Sequence, residues 1–219
     1  MNAMILAAGR GERLRPITDK LPKPLVAPGG ETLLERHLRR LADAGVEKVV
    51  INLGWHGEQI VDKVGSGSQF GLAVSYSPEY DEILETGGGI RRALPMLGHE
   101  PFWVLNGDIY CDLPLPNVSL DDDTLGHLIL VPTPDYKAQG DFDLVDGKIR
   151  RGDAPAYTFA GIALYRPAFV DDQEPGRFSL APLLFAAADR GLLTGEVYRG
   201  AWTDVGTPER LAQLDSELV

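Results

Sequence analysis

Short apolar runs alternating with segments of helical period constrain the first half of this chain more than any other feature. Residues 4–8 are apolar and lead straight into Gly9, as the buried strands of parallel sheets do. Thr32-Leu33-Leu34-Glu35 has the form of a capping box, Leu34, Leu38 and Leu41 then recur at helical spacing, and Gly45 supplies the stop. Residues 49–51 read as a second buried strand. Residues 56–64 read as a helix with Ile60, Val61 and Val64 on one face, and residues 72–76 as an alternating strand. Residues 89–97 read as a short helix, and 102–105 as a core strand running into Asn106-Gly107-Asp108. This order predicts strands laid parallel, with helices crossing over both faces of the sheet.

The second half is richer in strands, with candidates at 128–131, 142–145 and 157–165, a helix at 182–189 and a short strand at 202–205. Thr207-Pro208-Glu209 is a helix start (cap, proline at the first position, acid in the first turn), and Leu211, Leu214 and Leu218 give that helix an apolar face. The whole predicts an α/β fold, Rossmann-like and doubly wound, with a mixed but mostly parallel sheet. At 219 residues and 44% hydrophobic composition, one domain over 1–219 is expected, with no internal repeat or linker.

The balance of 21 basic against 32 acidic residues, a net charge of −11, repels polyanions, so nucleic acid is not an expected partner. One cysteine, Cys111, forms no internal disulfide. No apolar run reaches membrane-spanning length, and the first residues lack the basic start of a signal peptide. The expectation is a cytoplasmic protein with small-molecule partners. The sequence leaves its oligomeric state open.

Against that acidic background, Arg10, Arg13 and Arg15 fall together in Gly9-Arg10-Gly11-Glu12-Arg13-Leu14-Arg15-Pro16, followed by Lys23 between Pro22 and Pro24. Small residues after a buried strand let backbone N–H groups approach an anion, and a triphosphate needs cations and N–H donors together. No Gly-Lys-Ser/Thr follows, so this is not a Walker loop. The third glycine of the dinucleotide fingerprint is also missing. Read alone, the segment is also compatible with an ordinary strand-to-helix turn bearing surface arginines.

The pair of motifs resembles the signature of the sugar-1-phosphate nucleotidylyltransferases, G-x-G-x-R-(L/M)-x-P followed by P-K-P-(L/M). Asn106-Gly107-Asp108 and Trp202-Thr203-Asp204-Val205-Gly206-Thr207 resemble two further segments of that family, so the likeness spans nearly the whole chain. It implies that the loop bearing Ala8, Gly9, Gly11, Glu12 and Arg13 wraps a triphosphate. Arg13 and Lys23 would then neutralise charge at the α-phosphate, and Asp108 and Asp204 would hold Mg2+. Spacing alone does not show that these two aspartates meet. Magnesium accepts one or two carboxylates with phosphate and water oxygens, so two aspartates and a triphosphate meet its demand. The implied chemistry is in-line attack of a sugar-phosphate oxygen on the α-phosphorus. That oxygen is already ionised, so no general base is needed and positioning and charge neutralisation carry the rate. Consistently, His37, His56, His99 and His127 show no zinc spacing, and no nucleophile–base pair stands out.

Leu84-Glu85-Thr86-Gly87-Gly88-Gly89 ahead of a helix permits close approach of a flat ligand, and the family likeness carries base contact onto Gly88, Glu85 and Thr86. Asn52, at a strand end, is a further base neighbour. For the sugar, the resemblance implicates Asn106, Gly140, Asp141, Asp153 and Gly161. Where many relatives carry Glu-Lys-Pro, with a lysine for the sugar phosphate, this chain has Arg150-Arg151-Gly152-Asp153-Ala154-Pro155. The glycine turn, the chain length and Gly140-Asp141-Phe142 look most like the N-acetylmuramate-1-phosphate uridylyltransferases of cell-wall recycling, which implies UTP as donor. At 219 residues the chain is not expected to be one of the longer bifunctional N-acetylglucosamine-1-phosphate enzymes. A mannose-1-phosphate guanylyltransferase, another hexose-1-phosphate enzyme and a non-catalytic nucleotide-sugar sensor are the alternatives.

Overall fold

The central strands are buried almost throughout, and their residues point alternately to two cores, which determines how the molecule is layered. The computed structural model describes residues 1–218, in the order β1 Asn2–Leu6, α1 Leu33–Asp43, β2 Lys48–Leu53, α2 Gly57–Val64, β3 Ala73–Pro78, α3 Glu85–Leu97, β4 Phe102–Asn106, β5 Ile109–Cys111, β6 Gly126–Pro132, β7 Asp143–Val145, β8 Lys148–Arg150, β9 Tyr157–Tyr165, α4 Ala181–Asp189, β10 Leu193–Val197, β11 Trp202–Asp204 and α5 Pro208–Leu218. Ala3 and Ile5 of β1, Val49 and Ile51 of β2, and Trp103 and Leu105 of β4 face one side, where α1 and α2 bury Leu34, Leu38, Leu41, Ile60 and Val64. The alternate residues Met4, Val50, Phe102 and Val104 face the other side, under Ile90, Ala93, Leu94 and Leu97 of α3 and Leu184, Ala187 and Ala188 of α4. Helices therefore cover both faces, as the alternation predicts.

The nine-stranded sheet runs β3-β2-β1-β4-β9-β6-β10-β8-β7. Strands β3, β2, β1 and β4 are mutually parallel, and β6 and β10 share their direction. β9 and β8 run against them, so the sheet is mixed but mostly parallel. The chain leaves β1 towards β2 on one side and returns as β4 on the other. A crevice for ligands consequently opens at the carboxyl ends of β1 and β4.

The capping box at Thr32 and Glu35 forms as expected, with reciprocal side-chain and backbone bonds. Three short strands, β5, β8 and β10, have no counterpart in the sequence reading. Helix α3 begins at Glu85, so the glycine run is its first turn and not a loop before it. A third, smaller core joins Leu14, Val26 and Leu33 to Val205 and Leu214 of α5, which pins the arginine loop beside the segment following Asp204. Among the described residues, no helix is long and apolar enough to cross a membrane.

Candidate active site

Two cavities open at the carboxyl ends of β1 and β4, and they share Arg13, Asn106 and Asp108. The first, about 450 Å³, is walled by Ala8, Gly9, Gly11, Glu12 and Lys23 on one side and by Asn52, Glu79, Glu85 and Thr86 on the other. The second, about 730 Å³, is walled by Asp141, Phe159, Gly161, Trp202, Asp204 and Arg210, with Tyr136 and Lys137 at its edge. Sequence reasoning placed most of these residues in one site, and the fold gathers them there.

Local chain geometry explains the loop. Gly11 adopts φ 63°, and a Cβ there would lie 2.9 Å from Thr18 Cγ2, so the turn both needs and tolerates glycine. The Thr18 hydroxyl and the Leu14 amide both donate to the Gly11 carbonyl, at 2.8 and 2.9 Å. Leu14 is buried in the third core, while Arg13 beside it stays exposed at the mouth of both cavities. Arg10 instead lies over the Trp55 ring at 5.5 Å, and Arg15 pairs with Asp19, so neither lines either of these two cavities.

Lys23 is only 8% exposed, held in a tight turn between its two prolines, and its Nζ donates to Asp108 Oδ2 at 2.5 Å. Gly107 packs so closely that a Cβ would come within 2.7 Å of the Leu6 carbonyl, and its amide donates to that carbonyl. The turn carrying Asp108 is thereby fastened to the end of β1.

Asp108 and Asp204, distant in sequence, are brought side by side by a two-stranded ladder. β5 pairs with β11, Asp204 lies opposite Ile109, and the Val205 amide donates to the Asp108 carbonyl at 2.8 Å. Both side chains line the larger cavity. Among the described residues no group of three or more acids, histidines or cysteines converges. The protein thus offers two carboxylates on one wall, which fits a hard cation that takes its remaining ligands from phosphate and water. Asp204 accepts from Arg210 at 2.5 Å and from the Tyr136 hydroxyl, and Arg210 lies over the Tyr136 ring. Burial, reinforced by the Asp204 carboxylate, pushes the Tyr136 phenol up to about 12, so it remains a donor at neutral pH.

The sugar-side residues divide. Asp141 lines the larger cavity, its carboxylate fixed by the Phe159 amide and by Lys137 at 2.9 Å. Gly161, at φ 75°, lies against Asn106, where a Cβ would come within 2.6 Å of the amide nitrogen. Gly140 is buried behind the wall, against the Tyr157 and Pro155 carbonyls. Asp153 is exposed and lines neither cavity. Arg151, in the segment where relatives have lysine, pairs with Asp189 and stacks on Phe185.

On the base side, Glu85 and Thr86 line the smaller cavity and Gly88 does not. The Gly87 and Gly88 amides donate to the Phe178 carbonyl, and a Cβ on Gly88 would lie 2.2 Å from the Gly176 carbonyl. These glycines accommodate the 176–178 segment. Asn52 is 3% exposed, with its amide engaged by Ala7 and Glu79. Glu79, Tyr136, Lys137 and Arg210 escaped the sequence reading. Only the Lys137–Asp141 spacing of four carried a local signal.

The chain matches the family described as nucleotidyl transferase over residues 2–139. It is 44% identical to the N-acetylmuramate alpha-1-phosphate uridylyltransferase of Neisseria meningitidis serogroup B, over 99% of this chain and 97% of that one. It is 32% identical to a protein of the same name from Caulobacter vibrioides, over 99% and 96%. Among solved structures, HddC from Yersinia pseudotuberculosis superposes with a TM-score of 0.80 at 25% identity, over 100% of this chain and 99% of that one. A second structure of that protein holds GMP-PN.

Proposed function

We propose, for a chain that belongs to the nucleotidyl transferase family, that it transfers the uridylyl group of UTP to N-acetylmuramate 1-phosphate, giving UDP-N-acetylmuramate and pyrophosphate. The observation carrying this reading is the pair of cavities that meet at Arg13, Asn106 and Asp108. A nucleotide in the smaller and a sugar phosphate in the larger would present the α-phosphorus to the acceptor oxygen at the shared edge. That oxygen forms the new bond to phosphorus as the α–β bridging bond breaks, and pyrophosphate leaves with the electron pair.

Each residue role follows from charge and placement. Lys23 and Arg13 offset the negative charge that builds on the α-phosphate and the leaving pyrophosphate. Asp108 and Asp204 would hold the metal, since enzymes of this family generally use a divalent one. We assign magnesium, which supplies charge neutralisation and geometric alignment of the phosphates when bound. Asp141 and Asn106 face the acceptor sugar. We assign Lys137 to the acceptor's phosphate, in place of the lysine that the 150–155 segment lacks. The Trp202 indole, donating to the Ala160 carbonyl at 2.9 Å, keeps β11 and its aspartate against the cavity. The single buried cysteine and the small, charged substrates fit a reducing cytoplasm.

The test is pyrophosphate release with UTP and N-acetylmuramate 1-phosphate, set beside GTP and mannose 1-phosphate. Turnover confined to the first pair is expected. Turnover confined to the second would transfer the assignment to a guanylyltransferase, and none with any pair would leave a nucleotide-sugar sensor.

A further inference from the structure

The smaller cavity contains a carboxylate that neither the proposed chemistry nor the sequence reading employs. Glu79 is 1% exposed, and no lysine, arginine or histidine pairs with it among the described residues. One of its oxygens accepts from Asn52 Nδ2 at 2.8 Å, and the other accepts from the Leu84 amide at 2.8 Å. Asn52 Oδ1 in turn accepts from the Ala7 amide at 2.6 Å. The network therefore runs from Ala7, where the phosphate loop leaves β1, through the end of β2, to Leu84, the cap of α3 whose first turn carries Glu85 and Thr86. Gly89 makes room for it: a Cβ there would lie 2.8 Å from Glu79 Oε1 and 2.9 Å from Asn52 Nδ2.

Counting donors shows what the network demands. Two backbone N–H groups point inward from opposite walls, and the Asn52 amide passes one donation on. The group at position 79 must therefore accept at both ends, which a carboxylate does and an amide cannot. We propose that Glu79 is a positioning residue for nucleotide binding, acting through Asn52 to hold the phosphate-loop wall and the base wall of the smaller cavity in fixed register. It rests on the reading that this cavity takes the nucleotide, and it predicts an effect on the nucleoside triphosphate with little on the sugar phosphate.

The test is a donor–acceptor inversion. Glu79→Gln places an amide against two donors, and Asn52→Asp sets two carboxylates face to face. The double variant reverses the one bond between the two side chains and satisfies all four groups again. Each single variant is expected to raise KM for UTP about tenfold, the scale of one buried mismatch, with KM for the acceptor within about twofold. The double variant should return KM for UTP to within about threefold of the parent.

Amide exchange at Ala7 and Leu84, read by NMR, tests the network whatever the substrates prove to be. Protection should fall in each single variant and return in the double one. Should a single variant not fold, the double variant must still fold, protect both amides and bind UTP as the parent does. Normal UTP affinity in a folded Glu79→Gln protein would overturn the assignment. So would a double variant no better than its worse parent, or equal rises in both KM values. Restored protection without turnover on UTP would retain the network and reject only the substrate assignment.

Discussion

The two cavities are built by different means. The smaller one hangs from the ends of parallel strands, and much of its lining is loop backbone and small residues between Ala8 and Gly11, with Asn52 and Glu79 opposite. The larger one lies over the antiparallel part of the sheet and is lined by long side chains: Tyr136, Lys137, Phe159, Trp202 and Arg210. Backbone positions are set by the sheet and do not hang on any one side chain. Long side chains are set by their mutual contacts and can be exchanged singly. On the proposed reading, the contrast is between a general triphosphate grip on one side and a substitutable acceptor pocket on the other.

The comparison breaks most severely at the shared edge. Asp108→Ala is expected to lower kcat by about a thousandfold or more, because the metal site and the Lys23 partner are lost together. Because the variant also leaves the buried Lys23 ammonium without its partner, the melting temperature should fall, with the chain still folded. A pyrophosphate-release rate near the parent's would remove Asp108 from the mechanism.

A smaller effect separates the cavities. Lys137→Met removes the cation assigned to the acceptor's phosphate, which lines the larger cavity alone. It is expected to raise KM for the acceptor about tenfold and to leave KM for UTP within about twofold. A larger change for UTP than for the acceptor would mean that the two cavities are not divided as described.

The smallest effect concerns stability and distinguishes the two halves of the sheet. Burial, with the Arg40 charge beside it, holds the His37 imidazole well below its usual range. Burial alone lowers His127 on β6. Each binds a proton more readily in the unfolded chain, so its contribution is complete above the unfolded value near about 6.5 and is lost as pH falls below it. The melting temperature is expected to drop between about pH 7.5 and about pH 5.5. His37→Gln should flatten that drop more than His127→Gln. The opposite ranking would show that the far half of the sheet is the acid-sensitive one.

The same division governs how much was legible beforehand. Residues 4–8, the glycine–arginine loop and Lys23 are contiguous, so pattern and likeness located one wall of the smaller cavity. The end of the strand at Asn106 and the short strand from Trp202 to Asp204 likewise carry their aspartates to the site. Glu79 and Tyr136 carry no signal because they meet Asn52 and Asp204 across long stretches of chain, and Arg210 carries none because its spacing of six from Asp204 matches no helix or strand period. The glycine run reads as a break in the sequence, yet α3 begins at Glu85, four residues before the expected start at 89. In the fold, Gly87 meets the Phe178 ring, Gly88 the Gly176 carbonyl and Gly89 the Glu79 carboxylate, so neighbours demand small residues inside a regular helix. Strand β10 was missed because Leu193-Thr194-Gly195-Glu196-Val197 alternates weakly. A Cβ on Gly195 would come within 2.7 Å of the Leu128 carbonyl, so close strand packing selects against the residues that mark a strand. Asp153 was placed by likeness alone, in a segment where the chain departs from its relatives.

The most direct measurement is a crystal structure with manganese and a non-hydrolysable UTP analogue, read by anomalous scattering. One peak between the Asp108 and Asp204 carboxylates, beside an α-phosphate in the smaller cavity, is the result expected here. A cation bound away from both aspartates, or a nucleotide lying in the larger cavity, would contradict the account.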